Sequence, residues 1–368
     1  MPERETMLYL DHNATTPVRP TAVVAITAAL AMVGNPSSMH RPGQASRRVI
    51  EAARDAVAAL TDAAPENVIF TSGGTEANNL AMLGRPGHRM LATAVEHDSI
   101  LRIPGVVTIP VDGRGVVDLA ALKDLLAADP RPAVVAVMLA NNETGVLQPV
   151  AEAAALVHAH GGQLHCDAVQ AAGKIPVSFK TLGADSLALS AHKLGGPQGV
   201  GALVVHPEAT PAARAFGGGQ ERRHRPGTEN LAGIVGFGAA ATAVDLPAMA
   251  RRAQWRDALE AGIRAITPDV VVLGDGGARL PNTTYFAVLG LVGPLLVMAL
   301  DLEGVAIAAG AACGSGKTEP SHVPTAMGCA PAVAKAAVRV SLGWNSRRGD
   351  HDVFLNAWAR VIARAREA

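Results

Sequence analysis

Ser190-Ala191-His192-Lys193 stands downstream of His165-Cys166-Asp167-Ala168-Val169-Gln170, and each stretch closes a short apolar run. Short apolar runs ending at polar residues read as buried strands, here over 163–166 and 186–189. Working outward, the same texture predicts strands over 68–70, 90–94, 106–110, 134–139 and 202–205. Helices fit between several of them. One is predicted over 44–60, where Ala45, Val49, Ala52, Ala53, Ala56 and Leu60 recur at helical spacing, and others over 119–127 and 150–159. Strands separated by helices imply parallel βαβ units with right-handed crossovers. Ligands in such sheets bind beyond the carboxyl ends of the strands. Gly73-Gly74-Thr75, His97, Asn142, Asp167 and Lys193 each follow a predicted strand, so they fall where a ligand would sit.

After about Pro247 the texture changes. A charged amphipathic helix is predicted over 251–266, short strands near 270–273 and 283–288, and a helix around 295–303. This points to a smaller α+β domain joined by the N-terminal segment. A chain of 368 residues exceeds one ordinary core, which agrees with two domains. Hydrophobic residues at 49% against charged residues at 17% allow a sizeable core and exclude global disorder. With aromatics at 3% and Ala and Gly abundant, helices in that core should pack closely through small side chains.

Lys+Arg and Asp+Glu both total 32, a balance that argues against DNA or an anionic membrane as partner. The opening Met1-Pro2-Glu3-Arg4-Glu5 has no secretory character, and the apolar runs at 231–244 and 287–300 are broken by Gly or Pro. Three irregularly spaced cysteines describe neither a disulfide framework nor a zinc site, and suit a reducing compartment. The expectation is a soluble cytoplasmic protein without a metal centre.

The chemistry-bearing residues each leave a choice open. Lys193, before the Gly-rich Leu194-Gly195-Gly196-Pro197-Gln198-Gly199, is an imine-forming amine or a solvated surface lysine. Asp167 pairs with a protonated pyridine nitrogen or caps a following helix, and Gln170 reaches the same ligand or completes a capping box. Gly74 and Thr75 open a helix whose free amides attract phosphate, and Ser190 and His192 could donate to the same group. His97 stacks on a ring, shuttles a proton, or is structural. Arg339, alternating with apolar neighbours, grips a carboxylate or forms a structural ion pair. Taken together, the lysine, the acid and the phosphate donors are the parts needed to hold pyridoxal 5′-phosphate (PLP). Cys313, in Gly310-Ala311-Ala312-Cys313-Gly314-Ser315-Gly316, is the thiol whose setting suits reactivity, whereas Cys166 reads as packing and Cys329 as structural.

These motifs, taken in order, resemble one family. Tyr9-Leu10-Asp11-His12-Asn13-Ala14-Thr15-Thr16-Pro17 opens the match, and Gly34-Asn35-Pro36-Ser37-Ser38 follows. Phe70-Thr71-Ser72-Gly73-Gly74-Thr75-Glu76-Ala77-Asn78-Asn79, Glu96-His97 and Asn141-Asn142-Glu143-Thr144-Gly145 continue it. Asp167-Ala168-Val169-Gln170, Ser190-Ala191-His192-Lys193 and Arg225-Pro226-Gly227-Thr228-Glu229-Asn230 complete it. The chain is similar, nearly end to end, to the cysteine desulfurases of the class V aminotransferase group, which are fold type I PLP enzymes.

The resemblance implies a large domain over 15–246, with a mostly parallel seven-stranded sheet sandwiched by helices. It implies a small α+β domain, made of 1–14 and 247–368, that carries the catalytic cysteine. Lys193 would bind PLP covalently and move protons, with Asp167 at the pyridine nitrogen, Gln170 at the phenolic oxygen and His97 on the ring. Gly74, Thr75, Ser190 and His192 would take the phosphate, joined by Thr228 from the partner subunit of a homodimer. Asn142 and Arg339 would engage the substrate's carboxylate side. Arg222-Arg223-His224-Arg225 then reads as part of an inter-subunit loop, with a solvated basic patch as the alternative.

The implied reaction takes sulfur from L-cysteine, leaving L-alanine and a persulfide on Cys313 for an acceptor in iron–sulfur assembly or thiolation. A selenocysteine lyase or another PLP-dependent β-eliminating lyase is the alternative, though elimination has no need of a nucleophilic thiol. The segment 290–296 departs from the family's usual Glu-containing pattern, and the chain ends soon after a helix predicted over 354–364. Both departures bear on the acceptor rather than on the reaction.

Overall fold

The computed structural model describes residues 7–310 and 321–367. Its first strand, β1 (Leu8–Tyr9), precedes a seven-stranded sheet. That sheet contains β2 (Val68–Thr71), β3 (Arg89–Thr93), β4 (Val106–Ile109), β5 (Ala133–Ala136), β6 (Gln163–Asp167), β7 (Ser186–Ser190) and β8 (Gly201–Val205). A three-stranded antiparallel sheet holds β9 (Val270–Val272), β10 (Thr283–Val288) and β12 (Ala337–Ser341), while β11 (Val305–Ala306) pairs with β1.

The large sheet runs in the order β2-β8-β7-β6-β5-β3-β4. Its neighbours are parallel from β7 through β6, β5 and β3 to β4, as the strand–helix alternation implies. β8 is the departure, since it pairs antiparallel with both β2 and β7. The segment joining β7 to β8 holds a single 3-10 turn, Ala191–Lys193, and then the Gly-rich stretch. It is too short for the helical crossover that a parallel pairing requires. The sheet is therefore mostly parallel, and the βαβ pattern fails at the lysine turn.

Strand interiors are buried on both faces: β2, β5, β7 and β8 have no exposed residue. Val135, Leu164, Leu187 and Val204 pack with Val57, Val150, Val157 and Phe237 from the covering helices. Helix Leu231–Thr242 lies against helices Arg41–Leu60 and Pro20–Leu30 at unusually close range. A Cβ on Gly238 would sit 2.6 Å from the Ala53 Cα, and one on Gly236 would sit 2.6 Å from Ile26 Cγ1. Small residues thus replace aromatic bulk, as the composition implies.

A separate core forms around β10 and β12, where Phe286, Val338 and Val340 meet Leu259, Leu300, Phe354 and Trp358. No single helix among the described residues is long and apolar enough to cross a membrane.

Candidate active site

Every strand of the large sheet that delivers a candidate residue delivers it from its carboxyl end, whereas Arg339 lies in the middle of β12. Asp167 is the last residue of β6, and Ser190 closes β7 directly before the Ala191–Lys193 turn. β2 runs through Ser72 and Gly73 into helix Gly74–Leu83, so the amides of Gly74 and Thr75 lie in its first turn. His97 follows β3 as the N-cap of a short helix, accepting from the Ser99 amide. Asn142 comes from the turn after β5, and Arg339 from β12 of the other sheet.

These residues line one cavity of about 370 Å³. Gly74, Thr75, Ser190 and His192 contribute to it, and so do Asp167, Gln170, His97, Asn142, Lys193 and Arg339. Thr228 does not: it is exposed and outside the cavity of its own chain. Cys313 falls outside the described residues.

Lys193 is no surface lysine. Its Nζ donates to the Asn13 carbonyl at 2.6 Å and to the Ala14 carbonyl at 2.8 Å. Asp167 does not cap a helix, because the residues directly after β6 form turns and the next helix begins only at Phe179. Instead Oδ1 accepts from the Val169 amide at 2.9 Å and Oδ2 from Asn78 Nδ2 at 2.8 Å. The capping-box alternative for Gln170 lapses with it. Gln170 Nε2 donates to the Asn13 carbonyl at 2.9 Å, and its Oε1 accepts from Lys174 Nζ at 2.6 Å. Burial, with Lys193 nearby, pushes the His192 pKa down to about 4, so its ring is neutral and can still donate one N–H.

Of the two open readings of Arg339, the structure shows the ion pair. Nη2 pairs with Asp11 Oδ1 at 2.6 Å and Nη1 donates to the Asn142 carbonyl at 2.9 Å, while the buried Nε has no partner among the described residues. It is a structural ion pair at the wall of the cavity. In the basic run at 222–225, Arg222 and Arg223 are exposed, with Arg222 donating to the Val68 carbonyl, and the half-buried Arg225 pairs with Glu76 at 3.0 Å. Cys166 is fully buried, and burial raises its thiol pKa well above the usual value. Cys329 is half-buried and raised for the same reason.

Three residues escaped single-sequence reasoning. Asn13 is a hub: its carbonyl holds Lys193 and Gln170, its Oδ1 accepts from Lys174 at 2.7 Å, and its Nδ2 donates to Thr283 at 2.9 Å. Lys174, 4% exposed, sits against two amide oxygens, and burial beside Lys193 and Arg339 drives its pKa well below the usual lysine value. Asn78 touches Asp167 from helix Gly74–Leu83. The available signal was membership in the Tyr9–Pro17 and Phe70–Asn79 motifs for Asn13 and Asn78; Lys174 had none.

The family described as aminotransferase class-V matches residues 8–354. This chain belongs to the class-V aminotransferase family. An IscS-like cysteine desulfurase of Mycobacterium tuberculosis is 39% identical, over 98% of this chain and 98% of that one. A cysteine desulfurase of Cereibacter sphaeroides is 42% identical, over 98% of this chain and 96% of its relative. Among solved structures, a NifS-like protein from Rickettsia africae superposes with a TM-score of 0.90 at 33% identity, covering 97% of this chain and 99% of that one. The mostly parallel seven-stranded sheet flanked by helices is thus a family fold.

Proposed function

We propose that this chain is a PLP-dependent cysteine desulfurase that takes sulfur from L-cysteine and leaves L-alanine. The observation that carries the reading is one cavity holding an amine, a carboxylate and a phosphate-binding helix start, in a class-V chain with near-full-length cysteine desulfurase relatives.

The residues fit PLP on their donor chemistry. The first turn of helix Gly74–Leu83, with Thr75, Ser190 and His192, offers neutral donors and a helix dipole to a phosphate. Gly74 matters sterically, since a Cβ there would meet Val169 Cγ2 at 2.8 Å. Asp167, already accepting from the Val169 amide and Asn78 Nδ2, would accept from a ring N–H. Lys193 would hold the group covalently, Gln170 would donate to its phenolic oxygen and His97 would stack on its ring. When bound, PLP supplies an electron sink that makes bonds to the substrate's α-carbon labile.

The remaining work belongs to the chain. Lys193 Nζ, poised between the Asn13 and Ala14 carbonyls, moves the α-proton, and His97 relays protons beside it. Asn142 and Arg339 orient the substrate carboxylate, which competes with Asp11 for the guanidinium. The Cys313 thiolate attacks the substrate sulfur: the carbon–sulfur bond breaks, a sulfur–sulfur bond forms, and the electron pair left on carbon takes a proton to give alanine. An acceptor thiol, on an iron–sulfur scaffold or a thiolation enzyme, then collects the sulfur.

In this reading residues 15–246 form the PLP-binding domain, and 1–14 with 247–368 form the domain that carries Cys313. The chain works as a cytoplasmic homodimer in which Thr228 reaches the partner's phosphate site. Exposed Val24, Leu30, Val33, Met39 and Phe216 are apolar side chains that a partner subunit could cover.

The test compares sulfide and alanine release from L-cysteine by the PLP-loaded wild type and Cys313→Ala. The variant should keep its cofactor and lose at least ~100-fold in turnover. Undiminished sulfide release would remove the thiol from the mechanism, and a loaded wild type that leaves L-cysteine intact would overturn the activity.

A further inference from the structure

Asn78 is 1% exposed, and its amide is the crossing point of a buried hydrogen-bond network that reaches two residues of the cavity. Its donors and acceptors resolve without ambiguity. Asn78 Nδ2 lies 2.8 Å from Asp167 Oδ2, and a carboxylate there admits only a donor, which fixes the amide's orientation. The second Nδ2 hydrogen goes to Ser99 Oγ at 2.9 Å. Ser99 Oγ in turn lies 2.9 Å from His97 Nδ1, and the Ser99 backbone N–H donates to that same nitrogen at 3.1 Å. Nδ1 is therefore an acceptor, and the neutral His97 ring carries its proton on Nε2.

On the far side Asn78 Oδ1 must accept, and His165 Nε2 stands 2.9 Å away as the donor. His165 Nδ1 then accepts from Ser186 Oγ at 2.9 Å. Burial pushes the His165 pKa down to about 3, which keeps a single proton on that ring.

We infer that Asn78 is a positioning residue whose one amide orients the Asp167 carboxyl group as an acceptor and, through the Ser99 hydroxyl, supports the donor to His97 Nδ1. The inference rests on the reading of Asp167 and His97 as PLP contacts, and it adds a cause for their orientation. The two arms separate chemically. The Asp167 arm is a direct bond, whereas the His97 arm runs through the Ser99 hydroxyl.

Asn78→Ala cuts both arms, and Ser99→Ala cuts only the second. The other titratable groups around His97, namely Asp98, Asp167, Glu96, Lys193, His322 and Arg339, are unchanged in both variants. PLP affinity is read by absorbance titration of the full-length apoprotein, and His97 by the acid limb of the kcat–pH profile. Asn78→Ala should bind PLP about 10-fold more weakly, the loss of one charge-assisted hydrogen bond. Ser99→Ala should bind it within roughly twofold of wild type. Ser99→Ala removes a donor to Nδ1, and Asn78→Ala weakens that donor by releasing the Ser99 hydroxyl, so both should move the acid limb to higher pH, Ser99→Ala further.

A wild-type affinity in Asn78→Ala overturns the inference, as does an unshifted acid limb in Ser99→Ala. The second criterion decides alone should Asn78→Ala fail to fold. A wild type that takes up no PLP would instead sink the functional reading, and the inference with it.

Discussion

Glu96 shows how a single buried side chain can set a pH dependence of folding stability. It is fully buried; Oε1 accepts from Thr93 Oγ1 and the Met138 amide, and Oε2 has no partner among the described residues. Burial, with Asp167 nearby, pushes its pKa up from 4.5 to about 8. Below 4.5 both folded and unfolded chains are protonated there, and between 4.5 and 8 only the folded chain keeps the proton. The stabilisation is thus complete below 4.5 and is lost as pH rises towards 8, by up to about 1.4 kcal/mol per unit. Glu96→Gln keeps the Oε1 acceptor and should flatten this slope, melting higher than wild type at pH 8 but not at pH 5; parallel pH profiles would refute it. Arg339 belongs to the same scale. A lysine cannot span Asp11 and Asn142 as its guanidinium does, so Arg339→Lys should raise KM for L-cysteine at least ~10-fold while PLP content holds. An unchanged KM would leave Arg339 a structural ion pair. At this scale the sequence showed which side chains bear chemistry, but not whether Asp167 caps a helix, because that depends on what packs after β6.

Helices and strands were legible to differing degrees. Helices Leu119–Ala127 and Val150–Ala159 and strand β10 have the ends their periodicity predicts. Helix Arg41–Leu60 starts earlier than expected because Pro42 and Gly43 look like breakers. In its first turn proline costs nothing, and the His40 ring caps the Gly43 amide. The direction of β8 was hidden, since alternation of apolar runs carries no sign of orientation. Close helix contact is testable at this level. Gly238→Val drives a branched side chain into the Ala53 backbone and should cost roughly 1–3 kcal/mol, lowering the midpoint of urea unfolding. An unaltered midpoint would mean that the helices part freely.

At the scale of the whole molecule, Thr228 is the informative residue, because it is exposed and outside its own chain's cavity. If it serves a neighbour, the chain should elute as a dimer and Thr228→Ala should weaken PLP binding about 10-fold. A monomer whose affinity is unaffected by the substitution would refute the shared site. Much of the large sheet, the ligand-bearing strand ends and most of the cavity's side chains were determined by sequence alone. Apolar periodicity and turn chemistry act between near neighbours, so they are written locally. Only tertiary structure decided that Asn13 bridges Lys193 to Thr283, that Arg339 pairs with Asp11, and that Asn78 joins Asp167 to His97. Those contacts join residues far apart in the chain, and no local pattern encodes which buried donors must find which acceptors once water is excluded.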